Sequence, residues 1–309
     1  MDVCCQVKCF CSEDHYTSWS PDDPKSPLPN RRWIYRVWDF LERFTSETLE
    51  ESDVKDENKT SFIRDLLKPL SKWNILPATE TSQFVDHYLV PLKMAESVLD
   101  FGDGGQSSKK LVEALRLLRL PELNSVVMAS SSVDALAYIK TDSYKFACNL
   151  VATLKTPHSL LTALNQKLKT HPDSLSGRLK TTETESVLNY FSRSVKDLVD
   201  DDKETLRKLP FFPVAGGRLV VVQDRDVFVL PSEIPKDEMD AVECRFGCLF
   251  VEPRQSLSEL YEFLGFHQLS PANAYLKFIL KCFQHLSFEG KLVHLQYLRG
   301  FVFSTSVQG

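Results

Sequence analysis

A chain of 309 residues with 43% apolar and 26% charged residues can bury one large core or two smaller ones, and it needs no disulfide staples to do so. Its formal net charge of −5 and isoelectric point near 5.9 exclude the global basic field on which nonspecific nucleic-acid binding draws. No uninterrupted apolar run approaches the ~20 residues that cross a bilayer, and Met1-Asp2-Val3-Cys4-Cys5 lacks the basic and apolar regions of a signal peptide. The expectation is a cytoplasmic protein with no nucleic-acid and no membrane partner.

Residues 1–30 form a Cys/Pro-rich segment that the composition predicts to be disordered. Cys4, Cys5, Cys9 and Cys11, with His15 nearby, are zinc ligands by type, but tetrahedral sites join one close pair to a second, distant pair, and no second pair follows. No metal and no cofactor are expected. From Ser18 to Pro29 the chain is polar and proline-rich, too poor in apolar surface to fold alone.

Residues 31–205 read as a helical region. Trp33, Ile34, Val37, Trp38, Leu41 and Phe44 recur at helical spacing behind Asn30, a cap candidate. Phe62, Ile63, Leu66 and Leu67 make a short helix ended near Pro69, and Trp73–Pro77 and Leu89–Leu92 run as extended chain. The stretch Asp100-Phe-Gly-Asp103-Gly-Gly-Gln-Ser-Ser108 contains the Asp-x-Gly-x-Gly pattern of gyrase-type and heat-shock-type ATPases. That fold also needs a helix bearing Glu and Asn, and a second glycine-rich lid, which residues 31–99 do not offer. The stretch reads instead as a turn before a helix with Leu111, Ala114, Leu115 and Leu118. Further helices follow through Val133–Ile139, Phe146–Leu154, Leu160–Leu168 and Val187–Leu198, the last behind a Thr182/Glu185 capping box. Asp200-Asp201-Asp202 favours the macrodipole of the next helix.

Residues 206–309 open on a β-meander at about 210–231. Pro213 precedes Ala215-Gly216-Gly217, a turn that wants positive φ, then come Arg218–Val222, a charged turn, and Val227–Leu230 stopped by Pro231. Helices resume with Ser256/Glu259 as a capping box and Gly265 as a stop, with Ser270-Pro271 as a helix start, and with Leu292, Leu295 and Leu298 on a last helix. Phe301-Val302-Phe303 reads as a strand. The fold class expected is α+β, predominantly α-helical, with helical layers packed around the small antiparallel meander and 31–205 continuous with 206–309.

Seven scattered histidines and no Gly-x-Ser-x-Gly, Gly-Lys-Ser/Thr or His-x-x-x-His pattern give no catalytic constellation, and no enzyme is expected. Cys244 and Cys248, among Phe246, Leu249 and Phe250, read as semi-buried thiols, and His294 as a partly buried imidazole.

The order of elements from Trp33 to about Arg299 resembles the helical portion of the sacsin repeat. The likeness rests on the Trp33–Leu41 helix, Trp73–Pro77, Leu89–Leu92, Leu209–Phe212, Gly217–Val220, Val229–Pro231, the Leu260–Phe266 helix, Tyr275 and His294-Leu295. It implies a cytoplasmic, chaperone-associated scaffold whose partners are proteins: clients, chaperones or neighbouring repeat segments. In the family an ATPase-like domain precedes this portion, and no nucleotide residue carries over. The J-domain signature has an echo in His171-Pro172-Asp173, inside a stretch already matched to the repeat. The apolar faces at the two ends, with Trp33, Trp38, Phe301 and Phe303, are the partner-binding candidates. The competing classes are a degenerate nucleotide-binding or hydrolase enzyme and an adaptor unrelated to chaperones.

Overall fold

The computed structural model describes residues 16–52, 54–55, 58–81, 85–101, 109–123, 142–154, 156–170, 175, 177–215 and 217–306. The chain divides into two compact units, Met1–Pro172 and Asp173–Gly309. This boundary falls well before the composition change at 205, because the helix Thr181–Arg193 packs with the later helix Ser258–Phe263 and the 3-10 turn Gln255–Leu257.

In the first unit β1 (Thr17–Ser18), α1 (Arg31–Glu51) and α2 (Lys59–Leu67) precede a hairpin of β2 (Asn74–Thr81) and β3 (Val85–Pro91). Then come β4 (Leu99–Asp100), α3 (Lys109–Leu117), β5 (Glu122–Leu123), α4 (Asp142–Cys148), β6 (Ala152–Thr153) and α5 (Pro157–Thr170). The strands form one six-stranded sheet in the order β1-β3-β2-β5-β4-β6. β2 and β3 pair antiparallel from Thr81↔Val85 to Asn74↔Pro91, while β4 runs parallel to β5 and β6. So residues 31–205 are not one helical region. The hairpin lacks the alternation of a half-exposed strand because Asn74, Ile75, Leu76, Pro77 and Ala78 are all buried, and a run covered on both faces has no period of two.

Residues 16–30 are ordered, contrary to their composition. β1 adds to the sheet beside β3, the Trp19 amide donates to the His87 carbonyl at 2.9 Å, and the buried Trp19 indole donates to the Pro29 carbonyl at 2.7 Å. A segment too polar to fold alone takes its order from a sheet edge already in place.

The second unit opens with α6 (Thr181–Arg193) and α7 (Asp200–Arg207). Helix α6 is capped two residues earlier than expected, at Lys180 instead of Thr182, and Glu183 accepts from the Lys180 amide at 2.7 Å. Asp202 does the same for Val199 at the acidic start of α7 (3.1 Å). β7 (Phe212–Pro213) and β8 (Leu219–Val220) form the expected antiparallel pair. The next strand, β9 (Val227–Val229), does not join them as a meander. It is the centre of a parallel sheet, with β10 (Leu249–Val251) on one side and β11 (His267–Gln268) on the other. The connections are helices: α8 (Met239–Phe246) returns the chain to β10, and α9 (Ser258–Phe263) to β11. Each crossover helix ends at a left-handed glycine, Gly247 (φ 65°) and Gly265 (φ 77°), which turns the chain back toward the sheet. A Val214↔Val251 bridge links the two sheets.

Arg207, at the end of α7, ties these loops together. Its guanidinium donates to the carbonyls of Leu264 (2.9 Å), Val222 (3.0 Å) and Arg225 (2.9 Å), over the face of Phe266. Beyond β11, α10 (residues 271–282) starts with Ser270 accepting from the Asn273 amide and contains a π-turn at Tyr275–Ile279. Phe278, from that turn, sits among Phe228, Phe246 and Phe250 with centroids 4.9–5.3 Å away. The last helix is α11 (Phe288–Ser306). The whole is predominantly helical α+β, as the sequence indicates. Among the described residues no helix is long and apolar enough to cross a membrane.

Candidate protein-interaction surface

Helix α1 carries two apolar rows about 100° apart, since each residue turns the helix by that angle. Asn30 sets its start by accepting from the Trp33 amide at 2.9 Å. Ile34, Trp38, Leu41 and Thr45 form one row and are buried. Trp38 is wholly enclosed, donates through its indole to the Ile75 carbonyl at 2.7 Å and meets the Phe146 ring edge-on. Trp33, Val37, Phe40 and Phe44 form the second row, and three of the four stand out into solvent: Trp33 is 37% exposed, Phe40 63% and Phe44 42%. The Phe40 and Phe44 rings stack at 5.9 Å. Arg32, Arg36 and Arg43, all exposed, border this row.

Of the residues predicted to meet a partner, Trp33 is on this surface and Trp38 is not: an indole whose donor is satisfied inside the core is part of the core. Phe40 and Phe44 also belong to the surface; Phe40 escaped the sequence reading, and Phe44 was read only as part of the apolar stripe. Their signal was there, in a second i, i+4, i+7, i+11 spacing one position ahead of the core row. Phe301 and Phe303 lie on α11, whose backbone stays helical through Ser306, so the strand expected at 301–303 is a helix; their side chains lie outside the described residues.

Helix α11 is also apolar on two sides. Phe288 (81% exposed), Leu292 and Leu295 line the outer one, and Leu276 and Leu280 of α10 are exposed as well. On the inner side His294 is fully buried. Its Nδ1 shares a 2.9 Å hydrogen bond with the Tyr275 hydroxyl, and Tyr275 stacks on Tyr297. Nε2 has no hydrogen bond of good geometry. Burial lowers the imidazole's pKa below its ordinary value near 6.5, and the Asp237 carbonyl and the Asp237 and Glu238 carboxylates only partly offset this. Glu238 itself has left-handed backbone (φ 57°), and hydrogen bonds from Ser287 hold its carboxyl below the usual range.

The buried imidazole makes stability depend on pH. Because its folded pKa is below its unfolded one, the unfolded chain takes up the extra proton; stability is complete above about pH 6.5 and falls as pH drops through and below that value. The thermal midpoint of the second unit should therefore decline between pH 7 and pH 5, and His294→Phe should flatten that decline. An equally steep decline in the variant would assign the effect to other groups.

The remaining sites weighed in the sequence are placed as follows. Asp100 ends β4, and residues 102–108 lie outside the described residues, as do Cys4, Cys5, Cys9, Cys11, His15 and His171-Pro172-Asp173. Cys244 is exposed, while burial pushes the Cys248 thiol up to about 11, so it stays protonated and inert. Among the described residues no group of His, Cys, Asp and Glu is placed to hold a metal ion.

The chain is 26% identical over 286 residues to sacsin from Homo sapiens, a match covering 89% of the chain and 6% of the human protein. Nearly all of the chain is thus a sacsin-like region, and it spans a small part of that relative's length. No protein-family profile and no solved structure matches it.

Proposed function

We propose, from this likeness to a segment of sacsin, that the chain is a non-enzymatic protein-interaction module: a scaffold in cytoplasmic, chaperone-associated work that holds client or chaperone proteins. The observation that carries this reading is the exposed Trp33–Phe40–Phe44 row on a helix held to the core by its other face. A contiguous aromatic surface costs solubility unless it is used, and rigid aromatic side chains on a fixed helix dominate binding energy where partners meet. Arg32 and Arg36 beside it suit a partner that brings carboxylates to the rim, while Arg43 is already paired to Asp39.

The chain should slow the aggregation of a denatured client without ATP, and the variant Trp33→Ser/Phe40→Ser/Phe44→Ser should lose most of that effect while keeping its circular dichroism. A chain that leaves client aggregation untouched and binds no dye specific for apolar surface would overturn the reading. Calorimetry with magnesium and ATP should give no binding heat. Micromolar binding abolished by Asp100→Asn would instead establish the degenerate nucleotide-binding enzyme.

A further inference from the structure

Helix α1 carries its charges in the order that its own dipole disfavours. Arg31, Arg32 and Arg36 lie toward its start and Glu47, Glu50 and Glu51 toward its end, with no acid in the first turn and no base in the last. Cations are stabilised at the opposite end of a helix, where the unpaired carbonyls gather. The spacing within each group is adverse too: Arg32 and Arg36 are four residues apart, as are Glu47 and Glu51, and like charges so placed repel. These four residues are exposed and make no ion pair among the described residues. Between the two groups stand the exposed Phe40 and Phe44 rings, stacked on each other. Arg36 and Glu47 share one edge of the aromatic row, since eleven residues bring a helix through three turns to within about 20°.

We infer that this face of α1 binds the same face of a second copy of the chain, the two helices antiparallel about a two-fold axis beside the Leu41–Glu42 peptide. The inference rests on the reading of the aromatic row as an interaction surface and names its occupant. One register satisfies every charge: Arg36 and Glu47 are equidistant from that peptide, and so are Arg32 and Glu51, so a single two-fold sets Arg36 against Glu47 of the second copy and Arg32 against its Glu51. Phe40 and Phe44 flank the same point, and the two stacked ring pairs meet at the centre of the contact. A parallel pair would instead oppose arginine to arginine and glutamate to glutamate. Antiparallel helices also oppose their dipoles, which relieves the charge order that an isolated α1 disfavours. An unfolded client has no fixed order of charges to match this one. Because the same patch serves both copies, association closes at two. One helix pair covers an area at the low end for specific interfaces, about 1,200 Å² or less in total, so the dimer should be a weak, reversible one.

Sedimentation velocity of the full chain over a concentration series should show a monomer–dimer equilibrium. Arg32→Glu/Arg36→Glu and, separately, Glu47→Arg/Glu51→Arg should each weaken self-association about tenfold or more, since attraction at both ends of the contact becomes repulsion. Each variant should keep its circular dichroism, because each reversal sets the charges as the helix dipole prefers. An equimolar mixture of the two variants should recover the dimer, every reversed residue then meeting an opposite charge. Trp33→Ser/Phe40→Ser/Phe44→Ser should stay monomeric alone and in mixtures. The inference is overturned by a chain that is monomeric at every concentration, by a dimer that survives both charge reversals, or by reversed variants that fail to recover the dimer when mixed. The client assay separates the two readings. A monomeric chain that still slows client aggregation removes only the second copy; a chain that dimerises with this charge pattern yet leaves clients untouched supports the second copy and removes the client reading.

Discussion

Trp38→Ala should destabilise the first unit by about 3–5 kcal/mol, a typical loss for emptying a core aromatic site. Two effects add. The indole is wholly enclosed, edge-on to Phe146, in the core that also holds Ile75, Leu76 and Val90, so its removal leaves a cavity in that core. Its N–H also satisfies the Ile75 carbonyl, which would be left unpaired in a buried strand. Against a total stability of about 5–15 kcal/mol, such a loss approaches the threshold of folding. Trp38→Phe keeps most of the volume but not the donor and should fall between. Trp33→Ala, five residues away on the exposed row, should cost under about 1 kcal/mol. Chemical denaturation followed by tryptophan fluorescence orders the three variants; a Trp33 loss as large as that of Trp38 would contradict the two-faced description of α1.

Arg207→Met should cost the second unit about 3 kcal/mol, from hydrogen bonds to a charged donor worth roughly 1.5–3 kcal/mol each, discounted because the side chain is partly exposed. One guanidinium holds three carbonyls from the loops that enter β9 and β11 and from the chain leaving β8. Methionine keeps the stem and loses every donor. Arg207→Lys should recover little, since a single ammonium cannot span three carbonyls in a fixed fork. Hydrogen exchange is the discriminating readout: protection should fall first at the amides around Val222, Asp226 and Gly265, and uniform loss across the unit would mean that the arginine acts only through global stability.

Helix ends and the apolar character of α1 were readable because caps and spacing are local. Asn30, Ser270 and Gly265 do what their types predict. Pairing of strands is not local. Val227–Val229 has the same β-branched composition whether it closes a meander or centres a parallel sheet, and the choice depends on Leu249–Val251 and His267–Gln268, which arrive after intervening helices. The hairpin of β2 and β3 was read only as extended chain because burial on both faces erases alternation. On the surface side, Trp33 was legible and Trp38 was misplaced for one reason: an aromatic stripe announces an apolar helix but not which of two adjacent rows meets the core.

The strand order of the first unit also fixes a timetable for a ribosome-bound chain. β1 emerges first yet pairs with β3, and β4 sits between β5 and β6, both of which are made later. Trp19 has no sheet edge to cover until residue 91 has been synthesised, and the sheet is not closed until Thr153 has left the exit tunnel. Non-local pairing of this sort is slow and leaves apolar strands waiting. A nascent chain halted between residues 100 and 150 would present Ile75, Leu76, Leu89 and Val90 without their full cover, and that interval is when this protein would itself be a client.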